Sequence, residues 1–345
     1  MLQQKEDVIN SISRAINYLG SRQFHNGQFA SYTAIDEPMH QYCQPDLNVF
    51  TTSIIGGCLL PLKDNEVVKK ILQKTSSFLG KEMSPEGLWP HFSSRSNLHI
   101  YSSFDLDDTA CASHLLSSLG NNEIRSRNTK LMLANRNNHY LYYSWFLFRF
   151  RFVWNYSYMK LLAKTLLQPK KYLLIYVTEA SLNDVDAVVN ANFLYYLGER
   201  AETKKIIEMI VKVIEENTEL ECDKWYKNIF TIYYFFSRCC NLKIESLDQI
   251  KNPIIQRILH LQNTDGSFGE SSLDTALAIS SLLHVGYAEK KLSTAIQALL
   301  THQEADGKWK RYGFYFGGPK KLICFGSEEL TTAVCIEALH KYQSS

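Results

Sequence analysis

Three aspartates within four residues are the strongest chemical signal in the sequence. Asp105, Asp107 and Asp108 begin a predicted helix, in the run Phe104-Asp105-Leu106-Asp107-Asp108-Thr109-Ala110. An aspartate caps a helix start well and a first-turn acid complements the helix dipole, so capping accounts for Asp105 and Asp108 but does not require Asp107. Carboxylates crowded in a low-dielectric cavity cannot all ionise, so one keeps its proton at neutral pH. The run therefore predicts either a plain helix cap or a neutral carboxylic acid able to protonate an alkene.

The helix that begins at this run carries a second pattern. Asp107, Cys111 and His114 recur at helical spacing and share one stripe, which is predicted to face a central cavity. This placement makes His114 and the neighbouring Phe104 candidate substrate contacts. The stripe also resembles a zinc ligand set, but three ligands from one helix fit a tetrahedral ion poorly, so no metal site is predicted. The loop histidines are interpreted as ordinary polar residues: His91, His99 and His139.

Helical periodicity runs through almost the whole chain and predicts about twelve helices in six pairs. The outer member of each pair is amphipathic, near 4–20, 64–81, 121–135, 200–217, 245–263 and 288–303. The inner members have few charges beyond their first turn, near 46–61, 105–120, 182–198, 224–239, 272–286 and 327–342. Repeated helical hairpins stack around a shared core. The sequence therefore predicts an all-α fold, an (α/α)6 barrel or toroid, as a single domain over residues 1–345.

Composition narrows the classes of function. The chain has 345 residues and a net charge of +2, so it lacks the basic field that drives nucleic-acid binding. Its eight cysteines include no CxxC pair, and no apolar run reaches the roughly 18–20 residues that span a bilayer. We interpret the cysteines as reduced thiols and predict a cytoplasmic protein without nucleic-acid partners.

The segment 136–181 interrupts the repeat. Eleven of the nineteen residues from Tyr140 to Tyr158 are aromatic. One interpretation is a large insertion that packs against the barrel. The other is a lid, or a patch that meets a membrane periphery or a hydrophobic ligand, with Arg149 and Arg151 near headgroups or a diphosphate.

Two further groups are predicted to line the cavity. The polar starts of the inner helices would converge on one end of the ring, which makes Asp184 and Glu328 candidate substrate-binding residues. Trp225 and Tyr226 open a helix crowded with aromatic residues, some of which must face inward because one helix cannot turn six large rings outward.

The aspartate run matches the DxDDTA motif of class II terpene cyclases, a family that includes the squalene–hopene cyclases. The segment Gln262-Asn263-Thr264-Asp265-Gly266-Ser267-Phe268-Gly269 resembles the QW repeat of that family, with Phe268 in place of Trp. The resemblance implies that Asp107 is the general acid that protonates an isoprenoid double bond, and that Asp105 and Asp108 tune and orient it. It also implies that cavity aromatics stabilise the carbocations. No cofactor is implied, although a diphosphate substrate would recruit Mg²⁺.

The chain departs from that family in size. Class II cyclases usually react between two α-barrel domains, whereas this chain has the length of one. The second half of the cavity would then come from the 136–181 segment, from self-association or from a partner subunit. Two other functions stay open: a non-catalytic toroid that binds an isoprenoid or lipid, and a zinc-dependent enzyme similar to the prenyltransferases.

Overall fold

Twelve helices form six hairpins in the computed structural model, which describes residues 2–150, 153–178, 180–288 and 291–345. The inner helices are α2 (Val49–Leu59), α4 (Leu106–Ser118), α8 (Ala187–Leu197), α10 (Ile229–Arg238), α12 (Ser272–His284) and α14 (Glu328–Ser344). The outer helices are α1 (Leu2–Arg22), α3 (Glu66–Glu82), α5 (Glu123–Ala134), α9 (Lys204–Glu216), α11 (Asp248–His260) and α13 (Lys291–Thr301). Each inner helix contacts the next, and α14 closes the ring against α2. The predicted α/α toroid is confirmed.

The two sets of helices differ in burial as their sequences predict. The outer helix α9 buries only a stripe at helical spacing: Ile206, Ile207, Ile210, Val213 and Ile214. By contrast, every residue of the inner helix α12 except Ser272 and Leu283 is buried. The apolar core therefore fills the space between the two rings of helices and extends inward between the inner helices.

A repeated turn follows four of the outer helices, α1, α3, α11 and α13, and leads to the next inner helix. The side-chain amide of a glutamine at the end of the outer helix donates to the carbonyl of a glycine four residues later, in the pairs Gln23–Gly27, Gln262–Gly266 and Gln303–Gly307. The aromatic residue after the glycine donates its N–H to a threonine in the inner helix, in the pairs Phe29–Thr52, Trp89–Thr109, Phe268–Thr275 and Trp309–Thr332. The threonine of the aspartate motif is therefore part of this structural repeat.

Six short strands accompany the helices and were not predicted. Four of them form an antiparallel sheet in the order β2-β1-β6-β5, with β1 at Ser31–Ala34, β2 at Gln44–Asp46, β5 at Tyr315–Gly317 and β6 at Ile323–Gly326. The other two, β3 at Trp89–Pro90 and β4 at Phe104–Asp105, pair with each other. In the part of the chain that the structure describes, no strand exceeds four residues, which is too short for the alternation that identifies strands in a sequence.

The 136–181 segment contributes two further helices, α6 (Tyr156–Leu166) and α7 (Lys170–Val177). Of the two interpretations of this segment, the position of Arg149 fits packing within the fold and not contact with headgroups. Its guanidinium donates to the carbonyls of Trp145, Leu147 and Leu182 and lies 4.0 Å from the ring centre of Tyr143. This arginine therefore stabilises the fold of the segment, because it donates hydrogen bonds to backbone carbonyls that lie outside helices and strands. Arg151 lies outside the described residues.

All eight cysteines are free thiols. Within the described ranges, no helix combines the length and the apolar character that crossing a membrane requires.

Candidate active site

The three aspartates converge at the start of α4. Asp105 is the N-cap, and its Oδ1 accepts hydrogen bonds from the backbone N–H groups of Asp107 at 2.6 Å and of Asp108 at 3.1 Å. All three side chains are buried. Capping therefore accounts for Asp105, while Asp107 and Asp108 use their carboxyl groups for contacts outside the helix.

Both oxygens of Asp107 accept hydrogen bonds from side chains of other inner-helix segments. The Tyr226 hydroxyl donates to Oδ2 at 2.6 Å, and the Asn192 amide donates to Oδ1. Burial raises the pKa of Asp107, and the two hydrogen bonds, which favour the anion, hold it to about 6. When Asp107 loses its proton, the resulting carboxylate is therefore stabilised by two hydrogen-bond donors that are already in place.

Asp108 pairs with a histidine that the sequence did not identify as functional. His91 Nδ1 lies 3.1 Å from Asp108 Oδ2, and its Nε2 lies 3.2 Å from the Tyr315 hydroxyl. Burial disfavours a charge on His91, but the Asp108 carboxylate outweighs this effect and raises the pKa of His91 to about 9. The interpretation of His91 as an ordinary loop residue is therefore wrong, since it supplies a buried cation to the aspartate cluster.

Asp105 has a different environment from Asp107. Burial first, and then the neighbouring Asp108 and Asp107 carboxyl groups, raise the pKa of Asp105 well above its ordinary value. Among the described residues, no tyrosine or amide side chain donates to Asp105, whereas Tyr226 and Asn192 donate to Asp107. The cluster therefore contains two carboxyl groups with raised pKa values, and side-chain hydrogen bonds stabilise the anion of Asp107.

The aspartates face a cavity of about 370 Å³. Eight Phe, Tyr and Trp residues line it: Phe50, Phe92, Trp145, Trp225, Tyr226, Tyr315, Phe316 and Phe325. The 136–181 segment supplies one side of this wall through Trp145, Leu174, Val177 and Thr178. Trp225 and Tyr226 both line the cavity, as predicted.

Two aspartates before the inner helices hold Trp225 and Tyr226 in place. Asp223 Oδ1 accepts from the backbone N–H groups of Trp225 at 2.8 Å and Tyr226 at 3.2 Å. Asp186 Oδ2 accepts from the indole Nε1 of Trp225 at 3.1 Å. These positioning residues precede helices in the sequence and could be found there as acidic cluster members, but their partners could not.

His114 and Phe104 do not reach the cavity. Seven residues span about 10 Å of a helix, so His114 lies two turns below Asp107 and lines a separate cavity of about 110 Å³, the lower cavity. Its ring packs against Tyr195 at 4.4 Å, and burial lowers its pKa to about 4. Phe104 lies in β4, where the Lys171 ammonium covers its ring at 5.1 Å.

Asp184 and Glu328 are also absent from the cavity wall, because both are engaged in ion pairs. Asp184 pairs with Lys224 and accepts from the backbone N–H of Ser181 at 2.8 Å. Glu328 pairs with Arg311 at 2.8 Å. The polar helix starts therefore do not all converge on one site as predicted.

The stripe of Asp107, Cys111 and His114 does not form a zinc site. Among the described residues, no group of three or more His, Cys, Asp or Glu side chains could hold a metal ion. The nearest approach within the stripe is 4.0 Å, between Cys111 Sγ and Asp107 Oδ1.

Solved structures with several activities share this fold. A variant of the type II terpene cyclase MstE from Scytonema, in complex with geranylgeranyl dihydroxybenzoate, matches with a TM-score of 0.74 at 15% identity over 100% of this chain and 99% of that chain. A protein from Actinoplanes matches with a TM-score of 0.71 at 14% identity over 98% and 100% of the two chains. A sugar epimerase from a ruminal bacterium matches with a TM-score of 0.62 at 12% identity over 99% of each chain. No family model and no curated protein matches the chain. At these identities the likeness establishes the α/α toroid alone.

Proposed function

We propose that the protein is a class II-type terpene cyclase, which closes rings in a linear isoprenoid after protonation by Asp107. The observation that carries the proposal is the position of Asp107: a buried carboxyl group, hydrogen-bonded by Tyr226 and Asn192, at the wall of a large aromatic cavity. The aspartate motif and the fold shared with MstE support the same reaction class.

The chemistry follows from the arrangement of these groups. The O–H bond of Asp107 breaks as a C–H bond forms at one carbon of an alkene, and the other carbon becomes a carbocation. The next double bond of the chain supplies the electron pair that closes a ring, and loss of a proton from carbon ends the sequence. Substrate and product are therefore isomers. Tyr226 and Asn192 stabilise the carboxylate as it forms, and the aromatic walls stabilise the cation by about 0.5–2 kcal/mol per contact.

Two lysines at the rim of the cavity favour a substrate with a negatively charged head. The Lys321 ammonium lies 5.3 Å from the ring centre of Trp225, and that of Lys227 lies 5.0 Å from Phe316. Burial, and then the neighbouring Lys224 ammonium, lower the pKa of Lys321. Among the described residues, no carboxylate lies within 4.0 Å of the Lys227 or Lys321 ammonium. A diphosphate or carboxylate head would compensate this charge while the chain enters the apolar cavity.

A substrate panel tests the proposed reaction. The purified protein is incubated with polyprenyl diphosphates, prenylated benzoates and squalene, and the products are separated and analysed by mass spectrometry. We expect a product of unchanged mass and altered retention from at least one substrate with an anionic head. Binding without conversion would identify an isoprenoid-binding toroid instead, and the absence of both would reject the proposal.

Replacing Lys321 with methionine is expected to raise KM for the preferred anionic substrate by about tenfold and to leave kcat nearly unchanged. The ammonium contacts a part of the substrate that does not react, so its loss weakens ground and transition states equally, and tenfold corresponds to about 1.4 kcal/mol. Steady-state kinetics of Lys321→Met measure the effect, with Lys63→Met, an exposed lysine in the turn after α2, as the matched control. An unchanged KM would show that the head is not bound at this rim.

We further propose that the mouth of the cavity contacts the surface of an anionic membrane. Leu98 and Val177 line the cavity and yet are 42% and 43% exposed, so the apolar wall continues onto the outer surface. Leu173 and Tyr176 on α7 extend this surface. Besides the buried Arg149, the sequence from Ile124 to Thr178 has nine Lys and Arg residues and no acidic one, which suits anionic headgroups.

Vesicle flotation tests this contact. We expect the protein to float with vesicles of phosphatidylcholine and phosphatidylserine, and to float less with phosphatidylcholine alone. The double variant Leu173→Ser, Tyr176→Ser should lose most of the binding, because it removes the apolar side chains that enter the interface. Ile9→Ser, Leu220→Ser is the control, since these side chains are also exposed but lie on other helices and turns. Equal flotation of both double variants would contradict the proposed surface.

A further inference from the structure

Arg238, at the end of α10, carries a charge that no carboxylate balances directly. Among the described residues, no Asp or Glu oxygen lies within 4.0 Å of its guanidinium nitrogens. The guanidinium instead lies 4.5 Å from the ring centre of Tyr195 and 4.6 Å from that of Phe235. Its Nε is buried and has no hydrogen-bond partner. A partly buried cation with so few polar partners requires an explanation beyond packing.

Arg238 donates a hydrogen bond to Asn192, a side chain that also contacts the candidate acid. Arg238 Nη2 donates to Asn192 Oδ1, and Asn192 Nδ2 donates to Asp107 Oδ1. Asn192 is buried on the inner helix α8, so its amide cannot exchange these partners for water. Two hydrogen bonds therefore link Arg238, at the lower cavity, through Asn192 to Asp107 in the aspartate cluster.

The two ends of an amide differ chemically, so these hydrogen bonds allow only one orientation of the Asn192 side chain. An asparagine presents a carbonyl oxygen on one side and an NH2 group on the other. Because the guanidinium has donors only, the carbonyl must face Arg238, and the NH2 group must then face Asp107. Without the guanidinium, the amide could rotate and place its carbonyl against the carboxylate, which would repel it.

We propose that Arg238 is a positioning residue for Asp107, which acts by fixing the orientation of Asn192. This inference rests on the proposed function, since it concerns the same general acid. A fixed donor on Oδ1 stabilises the carboxylate that remains after proton transfer, so Arg238 makes Asp107 a stronger acid without contacting the substrate.

Other ionisable groups surround Arg238, Asn192 and Asp107. None of them is substituted in the variants compared below. They are Asp105, Asp108, Cys111 and His114 on and before α4, Tyr195 on α8, Asp223 and Tyr226 before α10, Tyr234 and Cys239 on or after α10, His91, His284, Cys58, Glu337 and Lys341. Glu337, the nearest acid of the lower cavity, accepts from the Tyr234 hydroxyl at 2.7 Å and lies 3.6 Å from Lys341. It therefore has partners of its own.

The test measures the protonation of Asp107 without substrate. Infrared difference spectra are recorded across a pH titration, and the carboxyl band of Asp107 is assigned by its loss in Asp107→Asn. We expect Arg238→Gln to shift the midpoint upward by about one pH unit. Arg125→Gln is the matched control, because Arg125 also packs on a tyrosine ring and donates to a carbonyl but does not contact Asn192. An unchanged midpoint in folded Arg238→Gln would overturn the inference.

A double-variant cycle separates orientation from a direct effect of charge. If Arg238 acts through the amide, Arg238→Gln should shift the midpoint little when Asn192 is already alanine. Equal shifts in both backgrounds would overturn the positioning role. If Arg238→Gln does not fold, Arg238→Lys keeps the charge but lacks the planar donor group, and the same cycle applies to it. Absence of turnover in the wild-type protein would count against the proposed function and not against this inference, because the titration needs no substrate.

Discussion

Asp107→Asn should reduce turnover of the true substrate by about 10³-fold or more, while the dissociation constant of the substrate changes little. The asparagine keeps the size and an acceptor for Tyr226 but has no acidic proton, and a positioned general acid contributes about 10²–10⁴-fold. The lost interaction acts in the transition state, so kcat falls and binding remains. Single-turnover kinetics and calorimetric titration measure the two quantities on the same preparation.

Asp105→Asn is the matched control for this experiment. Asparagine caps helices as well as aspartate does, so its side-chain oxygen can still accept from the N–H groups of Asp107 and Asp108. We expect a smaller loss of turnover than in Asp107→Asn. If Asp105→Asn were the more damaging change and Asp107→Asn turned over normally, the acid would be Asp105 and the assignment of roles would be reversed.

The pH dependence of the wild-type enzyme belongs to the same prediction. Asp107 donates only in its protonated form, which increases as the pH falls through about 6. Turnover should therefore rise from neutral pH toward pH 6 and level off below it, as long as the protein stays folded. A rate that increased with pH through this range would contradict an acid-initiated reaction.

The helices could be predicted because the residues that identify each helix lie within or next to that helix in the sequence. The inner helix predicted at 272–286 is α12 at Ser272–His284, and the outer helix predicted at 200–217 contains α9 at Lys204–Glu216. Their polar starts, apolar stripes and glycine turns all fall within one hairpin, so no long-range information is needed. The short strands could not be predicted in this way. They form by pairing between segments far apart in the sequence, such as Ser31–Ala34 and Ile323–Gly326, almost 300 residues apart.

The aspartate cluster could be predicted because its members adjoin in the sequence, and Tyr226 could be predicted as a cavity residue, but the contacts between different hairpins could not. Asp105, Asp107 and Asp108 stand together in the sequence, whereas His91 reaches Asp108 from another turn and Asn192 and Tyr226 come from two other hairpins. The wrong prediction that His114 lines the cavity also arose because the sequence shows only neighbours on one helix. Helical spacing puts His114 on the face of Asp107, but it does not reveal that the cavity ends before the second turn of α4.

Removing His91 should have the largest effect on stability among the changes near the site. His91→Leu is expected to lower the free energy of unfolding by about 3–5 kcal/mol, because it leaves the buried carboxylate of Asp108 without its cationic partner. The other Asp108 oxygen, Oδ1, is buried and has no hydrogen-bond partner to compensate. Urea denaturation at neutral pH measures the loss. His91→Gln, which keeps a donor but not the charge, should lose less.

The pH dependence of unfolding identifies the ion pair as the cause. The pKa of His91 is about 9 in the folded protein, above its ordinary value of 6.5, so the folded state holds this proton more tightly than the unfolded chain. The stabilisation is therefore complete below pH 6.5 and disappears as the pH rises through about 9. The difference in unfolding free energy between wild type and His91→Gln should shrink across this interval. A difference that stayed constant with pH would mean that His91 stabilises the protein through its ring contacts with Phe92, Tyr315 and Phe325, and not through its charge.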